Sequence, residues 1–194
     1  MCSNKSSRHL RHADRRQPRR MQALHPPPTE SSARQGGRME IKMSLRNIRI
    51  LGDDLLRKKS RKIDVIDNRI CQLLDDLAET MYAHDGVGLA APQVGVLRRA
   101  VVVDVGEGLL ELVNPEIIDM SGEAVMTEGC LSVPTSIGDV KRPTYVKVRA
   151  FNRHGEETEV EAHDYFARAI CHELDHLDGI IFLDKADNIQ PKEV

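Results

Sequence analysis

A chain of 194 residues is long enough for one domain with a real core, and its 40% hydrophobic content is that of a globular protein. With only 3% aromatic residues and no Trp, it offers no platform for single-stranded nucleic acid, which needs aromatic faces for bases to stack on. The formal charge of −2 hides a division: residues 1–42 carry ten Lys and Arg against Asp14, Glu30 and Glu40, about +7, which leaves about −9 for the rest.

The basic stretch contains HPPPTESS and RQGG, with no apolar periodicity and no apolar h-region, so residues 1–42 read as a disordered basic extension rather than a core segment or a secretory signal. Its Arg-rich, acid-poor composition overlaps with organellar transit peptides; translation from a start codon upstream of Met39 or Met43 is the other reading. No apolar run approaches 18 residues, so no membrane span is expected. Cys2, Cys71, Cys130 and Cys171 show no paired framework, which points to a reducing compartment, the cytoplasm of a bacterium or an organelle if the extension is a transit peptide.

Residues 43–194 read as one domain. An extended start at residues 47–51 precedes a segment, 64–84, in which Ile66, Ile70, Leu73, Leu74, Leu77 and Met81 recur at helical spacing, with Asp64 or Asp67 as N-cap. Cys71 beside that stripe is expected to be packed. Gly86, Gly88, Pro92 and Gly95 then break the pattern, and strands are predicted over 99–105, 110–119 and 145–151, the last turning at Gly155 into a hairpin with TEVEA. A second helix runs over 164–178, with Asp164 as N-cap and Gly179 as stop. Strands outnumber helices without regular alternation, so the class is α+β, mainly antiparallel sheets packed around a central metal-binding helix.

That helix carries the chemistry. Phe166, Ile170, Leu174 and Leu177 form its apolar stripe, while His172 and His176 lie one turn apart on a neighbouring face, where two imidazoles can hold one metal; a histidine pair on a surface helix is the alternative. Glu173, next to the first histidine, can reach a water on such a metal without binding it. A catalytic site of this kind keeps three protein ligands. The longer protease pattern HExxHxxGxxH matches through Gly179 but has Phe182 in place of the last histidine, and the thermolysin-like alternative, a Glu on a following helix, finds only Asp178, Asp184, Asp187 and a terminal Glu193 after His176. The third ligand is therefore expected upstream, in EGCLSVP, residues 128–134. There Cys130 follows Gly129, which permits close backbone approach. Cys171, about 100° around the helix from His172, cannot easily share that metal and is read as a packed, unreactive thiol. GVGLAAPQVG, residues 86–95, ends without GK[ST] and so is a weak phosphate cradle; its small residues and Gln93 suit close approach and an amide donor in a pocket.

GVGLAAPQVG, EGCLS and HELDH, in that order and with GDDLLRKKS near the start, resemble the motifs of peptide deformylases over roughly residues 45–185. The resemblance implies a metal-dependent hydrolase that removes the N-formyl group from the formyl-methionine of newly synthesised polypeptides. It assigns Cys130, His172 and His176 to the metal and Glu173 to acid and base catalysis. Gln93 and the Leu131 N–H are assigned to the oxyanion, Val87 and Gly88 to the substrate. It further implies Fe²⁺ as the native metal, with Zn²⁺, Ni²⁺ or Co²⁺ as substitutes. Formyl-methionyl nascent chains become the expected partners, with no membrane and no direct nucleic-acid binding. The chain departs from longer members in ending before the C-terminal helix that docks on the ribosome, so ribosome proximity would have to arise without it. Ile137 also stands where some relatives carry an arginine that contacts the peptide.

Overall fold

The computed structural model describes residues 45–192; the predicted basic extension lies outside them. Among these residues are eight strands, β1 (Gly88–Ala90), β2 (Ala100–Val103), β3 (Leu110–Ser121), β4 (Ala124–Cys130), β5 (Val133–Arg142), β6 (Tyr145–Phe151), β7 (Glu157–His163) and β8 (Ala186–Pro191). Two α-helices, α1 (Asn68–Ala83) and α2 (Asp164–Leu177), and three short 3₁₀ turns complete the described elements. A five-stranded sheet has the order β1-β2-β3-β6-β7 and a three-stranded sheet the order β4-β5-β8. Every strand pair is antiparallel.

The two helices lie on opposite faces of the larger sheet, and the strand sequences show it. In β2 the four residues Ala100 to Val103 are all buried: Val101 and Val103 pack with Ala167, Ile170 and Leu174 of α2, while Ala100 and Val102 pack with Leu73, Leu77 and Met81 of α1. A strand covered on both sides needs an unbroken apolar run. β6, covered on one face only, alternates: Val146, Val148 and Ala150 are buried and Arg149 is exposed. Each such Val or Leu contributes about 1.5–3 kcal/mol by leaving water.

Of the two caps expected for α1 the structure selects Asp67, and the start of α2 differs from the expected one. α1 begins at Asn68 because the Asp67 carboxylate accepts from the N–H groups of Arg69 (3.0 Å) and Ile70 (3.1 Å), and Asp64 plays no part in the cap. α2 is preceded by His163, with Asp164 as its first residue at φ +46°; the acid sits in the first turn, where it complements the helix dipole, but it does not cap. Gly179 ends α2 as expected, at φ +75°, and a Cβ there would lie 2.5 Å from the Arg57 carbonyl oxygen, so both conformation and space require glycine.

Strands flank Cys130, where the sequence reads as strand-like without defined bounds, and the C-terminal strand goes beyond the elements expected from the sequence. β4 and β5 pair from Ala124↔Arg142 to Gly129↔Ile137, then shift register so that Cys130 faces Val133. Such irregularities re-aim a side chain. The close approach expected at Gly129 is not seen, for a Cβ there would meet only Ile137, at 3.4 Å. Residues 47–51 form no strand; Arg49 and Leu51 donate backbone hydrogen bonds to Gln93 O (2.7 Å) and Ser132 O (2.8 Å). Gly88 lies in β1, within a stretch that reads as a loop, because its neighbours Leu89 and Ala90 pair with Val102 and Val101.

Candidate active site

Three motifs far apart in sequence meet at one cleft of about 300 Å³, whose walls include Val87, Gly88, Gln93, Leu131, His172 and Glu173. At its floor Cys130, His172 and His176 each turn one ligand atom inward, all within 4.8 Å of one another, so these three could hold a metal ion. Cys130 Sγ lies 3.2 Å from His176 Nε2, and the two imidazole rings stand 5.0 Å apart at 75°. One thiolate and two imidazoles suit a tetrahedral first-row dication with one position open. Phe182, where a longer protease pattern would have a histidine, is buried and stacks against His172 with centroids 6.2 Å apart.

Glu173 lies beside this floor and is 4% exposed. Its Oε2 has no hydrogen-bond partner among the described residues, and burial pushes its pKa up to about 7, against the pull of His172 and Arg142. Gly88 covers the carboxylate: a Cβ at that position would fall 2.8 Å from Glu173 Cγ and Cδ and would have to displace it. Gly88→Ala is accordingly expected to lower kcat at least tenfold, an order-of-magnitude effect of misplacing a reacting group, with metal content unchanged. Steady-state kinetics together with metal analysis check this, and a kcat equal to that of the parent chain would remove the glycine's role.

Gln93, 1% exposed, is clamped by its own turn. Its Oε1 accepts from the Ala90 N–H (2.8 Å), which leaves Nε2 as a donor toward Ser132 Oγ (3.2 Å) and Cys130 Sγ (3.5 Å). The amide donor therefore faces the metal-binding cluster.

Glu128 is the residue that sequence reasoning passed over. It lies two positions before Cys130, on the same face of β4, and its Oε2 accepts from His172 Nδ1 at 2.9 Å. That bond leaves Nε2 of His172 free to ligate. Burial alone would raise the Glu128 pKa, but hydrogen bonds from His172 and Arg142 outweigh it and hold the group at about 2. Arg142 donates Nε and Nη2 to the two carboxylate oxygens (2.9 and 3.0 Å), and Arg168 adds Nη1 at 2.6 Å. Burial also opposes protonation of His172, yet its contacts with Cys130 and Glu128 raise its pKa to about 10. His176 moves the other way, well below its ordinary value, through burial and the charge of His172.

Cys171 is 5% exposed and lines a different cleft with Leu174 and Asp175, so the two thiols do not share a site. Burial pushes its pKa up to about 11. Iodoacetamide at pH 7 is expected to leave Cys171 unmodified in the folded protein; a carboxamidomethyl group at that position by mass spectrometry, before unfolding, would overturn the assignment. Cys71 is half-buried, its Sγ 3.6 Å from Arg153 O.

A cysteine and two histidines on a buried floor, with an unpaired carboxylate and an amide donor beside them, define a mononuclear metallohydrolase. The family model of polypeptide deformylase matches residues 45–192. Peptide deformylase 1 of Clostridium acetobutylicum is 63% identical over 143 residues, which cover 74% of this chain and 95% of that protein. The crystal structure of the peptide deformylase from Thermotoga maritima superposes with a TM-score of 0.73 at 40% identity, over 74% of this chain and 99% of that one. The Met-Ala-Ser-bound enzyme of Acinetobacter baumannii gives 0.70 at 32% identity, over 74% and 99%. The chain belongs to the polypeptide deformylase family, metal-dependent hydrolases that remove the N-formyl group from the formyl-methionine of newly synthesised polypeptides.

Proposed function

We propose that Cys130, His172 and His176 bind one Fe²⁺, for which Zn²⁺, Ni²⁺ or Co²⁺ can substitute, and that Glu173, Gln93, Leu131, Val87 and Gly88 complete a deformylase site. The observation that carries this reading is the convergence of three inward-facing ligand atoms within 4.8 Å, with Glu173 next to them. A divalent metal held by these three residues would supply a water acidic enough to lose a proton near neutral pH and would polarise the formyl oxygen, worth several kcal/mol of charge stabilisation.

The residues of the chain do the rest. Glu173 accepts the proton of the attacking water as its oxygen bonds to the formyl carbon, and returns it to the amine nitrogen as the C–N bond breaks. Formate and a free N-terminal methionine result. Negative charge that gathers on the formyl oxygen meets Gln93 Nε2, fixed before substrate arrives, and the N–H of Leu131 on the cleft wall. Val87, 37% exposed at the cleft, and Gly88 in β1 face the methionine side chain and the peptide backbone. The Met-Ala-Ser held by the Acinetobacter enzyme supports a short peptide as the occupant of the same cleft.

The partners are formyl-methionyl nascent chains in the bacterial cytoplasm, met close to the ribosome, with residues 43–194 as one catalytic domain and no direct contact with nucleic acid. The bacterial relatives support that setting; no described helix is long and apolar enough to cross a membrane. Protein purified anaerobically is expected to carry about one equivalent of metal and to release formate from formyl-Met-Ala-Ser. Casein cleavage with no action on the formyl peptide would instead establish an endopeptidase.

A further inference from the structure

The hold on His172 does not end at Glu128. The Arg142 side chain is 3% exposed, and its third donor, Nη1, reaches Asp175 Oδ2 at 2.5 Å. Asp175 lies three residues after His172 on α2 and lines a second cleft, of about 340 Å³, where its Oδ1 accepts from Lys185 Nζ at 2.7 Å. A continuous chain of charged contacts therefore runs from the surface to a ring nitrogen at the active-site floor: Lys185, Asp175, Arg142, Glu128, His172. His176 has no such support, for its buried Nδ1 has no partner among the described residues.

We propose that Asp175 is a positioning residue of the metal centre, which acts through Arg142 and Glu128 to keep the His172 ring in its ligating orientation. Both the geometry and the charge of the cluster support this role. A guanidinium held at one side by both oxygens of Glu128 and at the other by Asp175 cannot swing, and neither can the carboxylate that orients His172. The buried cluster pairs two carboxylates, Glu128 and Asp175, with two guanidiniums, Arg142 and Arg168. Loss of the Asp175 charge adds one unit of positive charge to this cluster, which Lys185 already tips positive at the surface, against a site that must accept a dication, in surroundings where such charges are weakly screened.

The inference rests on His172 being a metal ligand. It is tested on the full chain loaded with Co²⁺, by the visible absorption of the bound metal and its rate of release into excess chelator. Asp175→Asn is expected to change the cobalt absorption and to speed release roughly tenfold, the lower end of what outer partners of ligating histidines contribute. Asp175→Glu should restore most of the loss. Asp178→Asn, which removes a carboxylate of the same cleft that pairs with Arg99 and Lys59, should change neither. If Asp175→Asn does not fold, Arg142→Lys, which keeps the charge but not the two-sided grip, is expected to show the same spectral change and faster release. Wild-type spectra and release rates in the folded variant, or equal acceleration by Asp178→Asn, would overturn the proposal. Parent protein that takes up no cobalt would overturn the ligand assignment itself.

Discussion

Glu173→Ala is expected to retain its metal and to lose between a hundredfold and about ten-thousandfold in kcat, the range that a positioned acid and base contributes. The separation of the two effects follows from geometry. Glu173 is not one of the three residues that turn ligand atoms to a common point, so its removal leaves Cys130, His172 and His176 in place. What disappears is a buried carboxylate whose Oε2 has no other partner and so is available to a water proton. Elemental analysis beside formate release decides the matter, and metal content that collapses with activity would make Glu173 a structural residue. Methionine-site affinity, read through KM, should change little, because Val87 and Gly88 are untouched.

For Gln93→Ala a fall in kcat of roughly a hundredfold to a thousandfold is expected, about 2.7–4 kcal/mol of transition-state stabilisation for one lost donor. The substitution also leaves the buried Ala90 N–H without its acceptor, a cost of about 1–3 kcal/mol to folding. Gln93→Glu keeps an oxygen for Ala90 and, once ionised, offers no donor, so above the pKa that burial raises it should equal Gln93→Ala in lost turnover. Turnover within threefold of the parent chain in either variant would remove the oxyanion role.

Both predictions rest on residues that the sequence itself singles out, and for Glu173 the reason is local. His172, Glu173 and His176 belong to one helix, whose 3.6-residue period dictates which side chains share a face. The apolar stripe of α1 and the alternation of β6 follow from the same kind of rule, as does the glycine that stops α2. Cys130 is the candidate third ligand because two imidazoles are too few, Phe182 closes the downstream route, and EGCLSVP offers a thiol with Cys171 turned away on the helix.

What local periodicity does not carry is the meeting of segments. By sequence Asp64 and Asp67 are equal candidates for the cap, and only the turn geometry selects Asp67. β4, β5 and β8 are short on apolar alternation because much of the smaller sheet faces solvent, and their pairing is set by register with one another. Glu128 illustrates the limit well. Its place two residues before Cys130 puts the two side chains on one face of a strand, a signal present in the sequence. That the same face looks onto His172, with Arg142 and Arg168 behind it, depends on how β4, β5 and α2 are packed.

Residue order alone thus defines the elements whose residues repeat with a local period, together with the ligand types and the order of the three motifs, because these depend on side-chain chemistry and on spacing within one element. Folding in three dimensions settles which oxygen holds His172, which way the Gln93 amide points and why position 88 has no side chain. The first and last of these are distances between segments tens of residues apart, and the amide, whose oxygen is held by Ala90 in its own turn, has its donor side placed against Ser132 and Cys130 from a distant segment. Such distances arise from packing on the sheets rather than from spacing along the chain.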